Sequence, residues 1–302
     1  MREEKLLLPP WLHKPLRGGT IQTEKAVRQC GLCTVCEEAL CPNLSECYQE
    51  KRAAFLLLGP LCTRACAFCS VGFSPCPPSP DAGEPSRVAA CCAELALRHA
   101  VLTMVTRDDL ADGGALHLAN TVCAVRQMVP EVTVEVLTSD FAGSSSAVDI
   151  ILREKPEVFA HNLETVRSLS PKVRSLATYD GSLSLLRSIK EKEPGQVTKS
   201  SLMVGLGESV VEVQEALLDL KRAGVDCVTI GQYLQPTSKQ VAVKEWIHPD
   251  LFCRYEMYGK ELGIQEVIAA PFVRSSYKAR PLKRASETQR LPNEVKNCDP
   301  SR

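Results

Sequence analysis

The feature that most constrains this chain is a loop of three cysteines directly after a short apolar run. Cys62, Cys66 and Cys69 stand four and three residues apart and follow the apolar run 53–58. This pattern predicts a buried strand that ends in a tight, sulfur-rich loop. Three thiolates can hold three irons of a [4Fe–4S] cluster, and the fourth iron is then open to bind and reduce a small molecule. A zinc knuckle or buried free thiols is the alternative, although packing alone does not require cysteine at three fixed positions.

The overall composition excludes several classes of function. The 302 residues carry 36 Lys and Arg against 36 Asp and Glu, so the formal net charge is zero. This balance argues against a general nucleic-acid surface, although it leaves room for a local basic patch. No apolar stretch approaches the roughly 20 residues that span a bilayer, and the N-terminal run is too short for a signal peptide. We therefore expect a cytoplasmic protein with no nucleic-acid or membrane partner.

Cysteine is frequent, with 15 residues, and most of them fall between Cys30 and Cys69. Dense cysteines without a secretory signal indicate metal binding rather than disulfides. Later cysteines lie inside periodic apolar segments, where free cysteine packs as a small hydrophobe. We expect the following to fill the core: Cys91, Cys92, Cys123, Cys227 and Cys253.

Another cysteine group lies earlier in the chain than the Cys62–Cys69 loop. Cys36, Cys41 and Cys47 stand five and six residues apart. Because this spacing differs from that of the later group, we interpret the earlier group as a separate site. Pro42 and Asn43 break any helix between them and turn the chain, so that the three sulfur atoms can converge.

From the apolar run 53–58 onward, strand-like and helix-like stretches alternate, which predicts an α/β fold with a parallel sheet and right-handed crossovers. Six apolar strands predict a partial (β/α)6 barrel of the TIM type that stays open on one side. The predicted strands lie near 54–58, 100–105, 132–137, 157–161, 198–204 and 226–231. The predicted helices lie near 86–98, 115–128, 145–154, 180–192, 209–223 and 249–262. The helix near 209–223 is the best supported, with a capping box of Ser209 and Glu212 and a stop at Gly224.

The chain divides into three parts around this barrel. Residues 1–50 form an N-terminal, cysteine-rich extension, residues 51–265 form the barrel, and residues 266–302 form a C-terminal extension. Prolines and glycines at 9–19 predict an extended arm over 1–29, and the polar residues from 280 onward predict a frayed tail in which Cys298 is incidental.

Polar segments follow each predicted strand, at the rim where barrels of this type carry their chemistry. Each has a simpler interpretation when taken alone. Asp108, Asp109 and Asp140 could cap helices, and His161 could be a structural histidine. Together the segments suit a ligand with an adenine, a ribose and a zwitterionic amino-acid end. They occupy 62–69, 106–114, 138–140, 161–165, 203–208 and 231–237.

These features together resemble the lipoyl synthase family of the radical S-adenosylmethionine superfamily. The resemblance runs in order from about residue 30 to residue 279 and rests on both cysteine groups, on the aromatic Phe68 before the third cysteine, and on five further motifs. The motifs are VTRDDL at 105–110, HNLET at 161–165, MVGLGE at 203–208, GQYL at 231–234 and RSSY at 274–277.

The resemblance implies two [4Fe–4S] clusters and S-adenosylmethionine as cofactors. The implied ligands are Cys62, Cys66 and Cys69 for the cluster that binds S-adenosylmethionine, and Cys36, Cys41, Cys47 and Ser276 for an auxiliary cluster. Of the two serines in the last motif, it favours Ser276 over Ser275. The implied contacts to S-adenosylmethionine are Phe68, Thr106, Arg107, Asn162, Glu164, Gly205, Gly207 and Glu208.

The resemblance also implies a reaction and its partners. The activity would be a sulfurtransferase that inserts two sulfur atoms at C6 and C8 of a protein-bound octanoyl-lysine, with the auxiliary cluster as sulfur donor. The partners would be octanoylated lipoyl-carrier domains or peptides, a low-potential electron donor such as ferredoxin or flavodoxin, and an iron–sulfur carrier protein. There are two alternatives to this function. One is a different two-cluster enzyme that thiolates a nucleotide base. The other is an iron–sulfur carrier or a zinc-stabilised binding module without catalysis.

Two cysteines depart from the family pattern. Cys33 stands where the family has a histidine, and Cys30 adds a further thiol. Either residue could compete for iron or bind zinc.

Overall fold

The structure is a computed structural model that describes residues 7–14 and 21–277. Its strands are β1 (Cys33–Thr34), β2 (Ala54–Leu57), β3 (Leu61–Cys62), β4 (Gly72–Phe73), β5 (His99–Met104), β6 (Thr133–Leu137), β7 (Val158–Ala160), β8 (Val197–Val204), β9 (Cys227–Gln232) and β10 (Glu266–Ala269). Its α-helices are α1 (Ile21–Gln29), α2 (Val35–Glu38), α3 (Leu44–Gln49), α4 (Glu84–Glu94), α5 (Ala115–Met128), α6 (Ser145–Arg153), α7 (Ser170–Val173), α8 (Tyr179–Lys192), α9 (Val210–Arg222) and α10 (Pro249–Glu261). Short 3-10 helices lie at Pro10–Leu12 and Phe141–Gly143.

The main sheet has eight strands in the order β1-β2-β5-β6-β7-β8-β9-β10. β1 is antiparallel to β2, and every other neighbouring pair is parallel. The edge strands β1 and β10 do not pair with each other in the described chain, so the sheet does not close. The predicted α/β architecture, a partial barrel of alternating strands and helices, is confirmed.

Several elements of this architecture were not predicted from the sequence: the strands β1, β3, β4 and β10 and the helices α1, α2, α3 and α7. β10 adds a seventh parallel strand, with Val267 opposite Val228 of β9. Residues 21–29 form the helix α1, so the prediction of an extended arm is wrong there; Ala26 and Val27 are buried on the core side of that helix. The predicted tail from 280 onward, with Cys298, lies outside the described residues.

The residues predicted to begin and end the helix near 209–223 do so in the structure. Ser209 and Glu212 form the capping box of α9, and Gly224 follows that helix with a φ of +80°. Left-handed backbone of this kind favours glycine, because a side chain is strained there.

The apolar core consists of two large clusters between the sheet and its helices. One combines β2, β5 and β6 with the buried faces of α4, α5 and α6, and the other combines β8, β9 and β10 with α8, α9 and α10. Cys91, Cys92 and Cys227 are fully buried in the core, as predicted, whereas Cys123 and Cys253 are half-buried. None of the helices within 7–14 and 21–277 has the length and apolar character that spanning a membrane requires.

Candidate active site with two cysteine-lined cavities

A cavity of about 430 Å³ opens at the carboxyl ends of the parallel strands. Its wall brings together residues that lie far apart in the sequence, as expected for the rim of a barrel of this type. The predicted site residues that line it are Cys36, Cys41, Cys62, Cys66, Phe68, Cys69, Thr106, Asn162, Glu164 and Ser276.

The loop that follows β2 presents three cysteine sulfurs to this cavity. The backbone N–H of Arg64 donates to the Cys62 sulfur at 3.4 Å, and that of Ser175 donates to the Cys66 sulfur at 3.3 Å. Hydrogen bonds to sulfur are one means by which proteins tune iron–sulfur clusters. Burial raises the pKa of Cys66, and it raises the pKa of Cys69 to about 12. These thiols therefore need a bound cation to become thiolates at neutral pH, which is what cluster iron supplies.

Arg64, between the first two of these cysteines, fixes the loop to the barrel. Its guanidinium donates to both carboxylate oxygens of Asp108 at 2.8 and 2.7 Å and to Asp140 at 2.9 Å. Burial alone would raise the pKa of Asp140, but the hydrogen bond and charge of Arg64 hold that pKa below its usual value. Asp140 also accepts from the N–H of Ala142, which is the helix-capping role considered for it.

A second, smaller cavity of about 30 Å³ contains the other predicted ligand set. Cys36, Cys41, Cys47 and Ser276 all line it, whereas Ser275 lines only the larger cavity. The two cavities share wall residues: Cys36, Cys41, Arg274 and Ser276. The two predicted cluster sites are therefore neighbours inside the barrel.

The cysteines around the two cavities supply the donor type that iron–sulfur clusters require. Burial raises the pKa of Cys36 to about 12 and that of Cys47 to about 11, and in each case the nearby thiol of Cys41 adds to the rise. Among residues 7–14 and 21–277, no three His, Cys, Asp or Glu side chains form a cage for one metal ion. A cluster spreads its ligands over several iron atoms, so three thiols around an open space suit it better than they suit zinc.

The C-terminal motif is attached to the earlier cysteine group by polar contacts. Tyr277 donates to Glu46 at 2.8 Å, and Asn43 donates to the Phe272 carbonyl at 2.7 Å. Lys14, from the N-terminal segment, donates to Glu46 at 2.7 Å and lies over the Phe272 ring. These contacts hold the serine-bearing motif against α3, which carries Cys47, and against the turn before it.

His161 lines the cavity and has a structural role there. Its ring contacts the Thr138 carbonyl and the Ser182 hydroxyl, both at 2.9 Å, and burial lowers the pKa of His161 to about 4. This is the simpler interpretation considered from the sequence. Asn162 and Glu164 line the same cavity, and Asn162 Nδ2 donates to Glu164 at 3.0 Å.

Two residues of the cavity wall, Thr138 and Asn162, each have a buried polar atom without a hydrogen-bond partner among the described residues. In Asn162 that atom is the acceptor Oδ1. A buried acceptor of this kind costs free energy unless a ligand supplies a donor. An adenosine group, with its amino and hydroxyl donors, would meet that need.

Four predicted S-adenosylmethionine contacts are placed away from the lining of the large cavity. Arg107 turns to Asp109, with donor–acceptor distances of 2.8 and 2.7 Å, and lines a separate cavity with Phe141. Glu208 accepts from the backbone N–H groups of Gly205 and Leu206, so it closes its own turn. The roles of Arg107, Gly205, Gly207 and Glu208 in cofactor binding remain predictions.

The structure also adds residues that sequence reasoning missed. Arg174 lines the large cavity, donates to Ser182 at 2.8 Å, and has its pKa lowered by burial even though Glu164 and Cys66 lie nearby. Met203, Gln232 and Tyr233 line the same cavity. The last three lie inside motifs already quoted, whereas Arg174 had no local sequence signal.

Comparison with known proteins agrees with this geometry. The Radical SAM superfamily pattern matches residues 56–231, which is more than half of the chain. A crystal structure of Streptococcus suis SuiB bound to S-adenosylmethionine has the same fold, with a TM-score of 0.56 at 14% identity over 75% of this chain and 53% of that one. Coproporphyrinogen III oxidase (HemN) from Escherichia coli has a TM-score of 0.51 at 12% identity over 68% and 51%. The chain belongs to the radical SAM superfamily of enzymes.

Sequence relatives define the family more narrowly. The chain is 50% identical to a lipoyl synthase of Protochlamydia amoebophila over 290 residues, which are 94% of this chain and 90% of that protein. It is 49% identical to a lipoyl synthase of Thermus thermophilus over 90% of this chain and 85% of that one. Within the superfamily, the chain belongs to the lipoyl synthase family, as the sequence motifs indicated. Membership of the superfamily implies a [4Fe–4S] cluster and S-adenosylmethionine as cofactors.

Proposed function

We propose that this chain inserts two sulfur atoms at C6 and C8 of an octanoyl group attached to a lysine of a carrier protein. The observation that carries the proposal is the pair of adjoining cavities, each with one complete set of predicted cluster ligands. When bound, S-adenosylmethionine and the two clusters would supply the hydrogen-abstracting radical and the sulfur, which no amino-acid side chain can provide.

The residues of the chain would position these groups and keep water away. Cys62, Cys66 and Cys69 would hold the cluster that binds S-adenosylmethionine, and Asn162 and Glu164 would accept hydrogen bonds from its nucleoside part. Ser276 would complete the auxiliary set of Cys36, Cys41 and Cys47. An alkoxide is a harder ligand than a thiolate, so a serine-bound iron would be easier to release than a cysteine-bound one.

The wall of the large cavity suits an octanoyl chain. Leu56, Met104, Val105 and Leu137 lie in the wall beside the predicted cluster ligands. Burial of an alkyl chain against such side chains contributes about 0.8 kcal/mol for each methylene group. We propose that the acyl chain enters here while the carrier protein stays outside the cavity.

The reaction requires partners and a suitable compartment. We propose octanoylated lipoyl-carrier domains or peptides as substrates, a low-potential donor such as ferredoxin or flavodoxin for electrons, and an iron–sulfur carrier protein for renewal of the auxiliary cluster. A cytoplasmic location would suit the chain because every cysteine in the part that the structure describes is a free thiol.

The test uses anaerobically reconstituted protein and an octanoyl-lysine peptide. We expect about eight irons per chain, cleavage of S-adenosylmethionine to 5′-deoxyadenosine, and a lipoyl product with two added sulfurs. Replacement of Cys36, Cys41 and Cys47 by alanine should remove about half of the iron and abolish sulfur insertion, while cleavage of S-adenosylmethionine continues. The matched control is Cys253→Ala, which changes a half-buried cysteine outside both cavities.

Replacement of the proposed serine ligand tests the auxiliary site more finely. Ser276→Cys should keep both clusters bound but slow or stop sulfur insertion, because thiolate holds its iron more firmly. Ser275→Cys is the matched control and should leave the rate nearly unchanged. Unchanged product formation by Ser276→Cys would contradict the role of the serine, and a protein that holds iron but never cleaves S-adenosylmethionine would instead be an iron–sulfur carrier.

A further inference from the structure

Three cysteines outside both proposed ligand sets lie together where the N-terminal segment meets the barrel. Cys30 directly follows α1, and Cys91 and Cys92 lie on α4, against which α1 packs. The Cys30 side chain packs on the buried core that contains the other two. The side chain of Cys30 lies close enough to Cys91 to raise the pKa of the Cys91 thiol.

This placement separates Cys30 from the cluster ligands. Cys30 lines neither the large cavity nor the small one, and neither does Cys33. Competition for cluster iron, which the sequence left open for Cys30, is therefore not favoured by its position. The thiol of Cys30 instead interacts with the core cysteines of α4, since it contributes to the raised pKa of both Cys91 and Cys92.

The three thiols differ in access to solvent. Cys30 is half-buried, whereas Cys91 and Cys92 are completely buried. Burial raises the pKa of Cys91, and the neighbouring Cys30 adds to the rise; burial also raises the pKa of Cys92 to about 12. A reagent in solution therefore meets Cys30 first, and a buried thiol can follow only by attack on the modified Cys30.

We propose that Cys30 and Cys91 form a reversible disulfide by exchange with a small-molecule disulfide of the glutathione type. The Cys30 thiolate attacks the glutathione disulfide, forms a mixed disulfide and releases one glutathione thiolate. The Cys91 thiol then attacks the Cys30 sulfur, and its proton passes to the second glutathione thiolate as that group leaves. Two protein thiols are oxidised by two electrons, and one glutathione disulfide is reduced to two thiols.

The position of the bond indicates what it would do. From Cys30 the chain runs through β1 into α2, which carries Cys36. A Cys30–Cys91 bond would tie the start of this segment to α4 and would enclose all six proposed cysteine ligands in one covalent loop. Such a loop restricts the unfolded chain, so the bond would keep the ligand segments near the barrel when the clusters are absent. This inference does not depend on the proposed reaction.

The test is peptide mapping of the full-length, cluster-loaded protein. The protein is treated with glutathione disulfide under nitrogen, alkylated and digested with trypsin, which places Cys30 in peptide 29–51 and Cys91 with Cys92 in peptide 88–98. We expect a linked pair of these peptides, lighter than their sum by two hydrogen atoms, with fragment ions that assign the bond to Cys30 and Cys91. Dithiothreitol should release both peptides.

Variants distinguish the proposed bond from other outcomes. Cys30→Ser should lose the linked pair yet retain the wild-type iron content, and Cys92→Ser should retain the linked pair. Absence of the linked pair, a stable mixed disulfide of Cys30 with glutathione, or a bond to Cys92 would overturn the proposal. A loss of iron in Cys30→Ser would also overturn it, because Cys30 would then be a cluster ligand.

Discussion

Arg64 connects the Cys62–Cys69 loop to two neighbouring strand ends, and its replacement by methionine should loosen that loop. The wild-type guanidinium donates to Asp108 at 2.8 and 2.7 Å and to Asp140 at 2.9 Å. Methionine keeps an unbranched, apolar side chain and removes every donor. Two carboxylates would then face each other without a counter-charge.

The size of the effect follows from the burial of these groups. Removal of one partner from a buried ion pair costs about 3–5 kcal/mol. The Asp108 and Asp140 side chains are 27% and 13% exposed, so water recovers part of this cost. We therefore expect a loss near the lower limit, about 3 kcal/mol. With an unfolding entropy of about 2.1 cal/mol/K per residue over 302 residues, Tm should fall by about 5 °C.

The assay compares thermal unfolding of cluster-free, reduced protein with iron binding after anaerobic reconstitution. Arg64→Met should lose the iron of the S-adenosylmethionine cluster and keep that of the auxiliary cluster. Arg167→Met is the control, because Arg167 pairs with Asp180 on the surface with 55% of its side chain exposed, and such pairs contribute about 0–1 kcal/mol. Changing Asp108 and Asp140 to asparagine in the Arg64→Met background should restore part of the Tm. An Arg64→Met variant with wild-type Tm and iron content would refute the reasoning.

Two further predictions concern the serine motif and the barrel interior. Gly231→Ala should lower the iron content of the proposed auxiliary site. An added Cβ would lie 1.9 Å from the Val273 carbonyl oxygen and would displace the RSSY motif that follows it. The control is Gly195→Ala, whose added Cβ would have its nearest contact at 3.6 Å and which should bind iron normally. Glu135→Gln should cost about 3 kcal/mol at neutral pH, because Lys199, 2.8 Å away, stays buried without its partner. Although burial would raise the pKa of Glu135, Lys199 holds that pKa below its usual value. The ionised carboxylate therefore contributes stability above about pH 4.3 and loses it as pH falls through the folded pKa. The urea concentrations at which wild type and Glu135→Gln are half unfolded should become more similar as the pH falls. A difference that stays constant with pH would contradict this account.

Most of the fold could be predicted from the spacing of apolar residues along the chain. Continuous apolar runs indicate buried strands, and apolar residues three or four positions apart indicate helices. The helix at Ala115–Met128 has the predicted bounds, and the predicted barrel strands each overlap an observed one. The strand Glu266–Ala269 was missed because four residues after a helix are too few for a clear alternation. The helix Ile21–Gln29 was missed because nearby prolines and glycines dominated the interpretation, whereas its stability comes from burial of Ala26 and Val27 in the core.

The candidate site was predictable where spacing alone determined the chemistry. Two cysteine groups and a serine motif separated by about 200 residues meet at two adjoining cavities. The spacing of the cysteines had predicted two separate sites, and the family resemblance had added the serine. Sequence position could not show where a long side chain points. Arg107 follows a strand end, as expected, but turns to Asp109. Arg64 was missed because its partners, Asp108 and Asp140, follow two other strands, and no local pattern reports such contacts. Arg174 was missed because it lies in a segment that was not among the quoted motifs.

The proposed auxiliary site combines segments that only the folded barrel brings together. The backbone N–H of Ala54, at the start of β2, donates to the Cys36 thiol, and Arg274 donates to the Val273 carbonyl at 2.7 Å beside the end of β9. Ser276 therefore reaches the cysteines only after β2 and β9 have taken their places in the sheet. Because a ligand set that exists only in the folded chain makes metal binding part of the folding free energy, the auxiliary cluster should load after the barrel forms. Cys62, Cys66 and Cys69 lie within eight residues of sequence, so they can come together without the rest of the barrel.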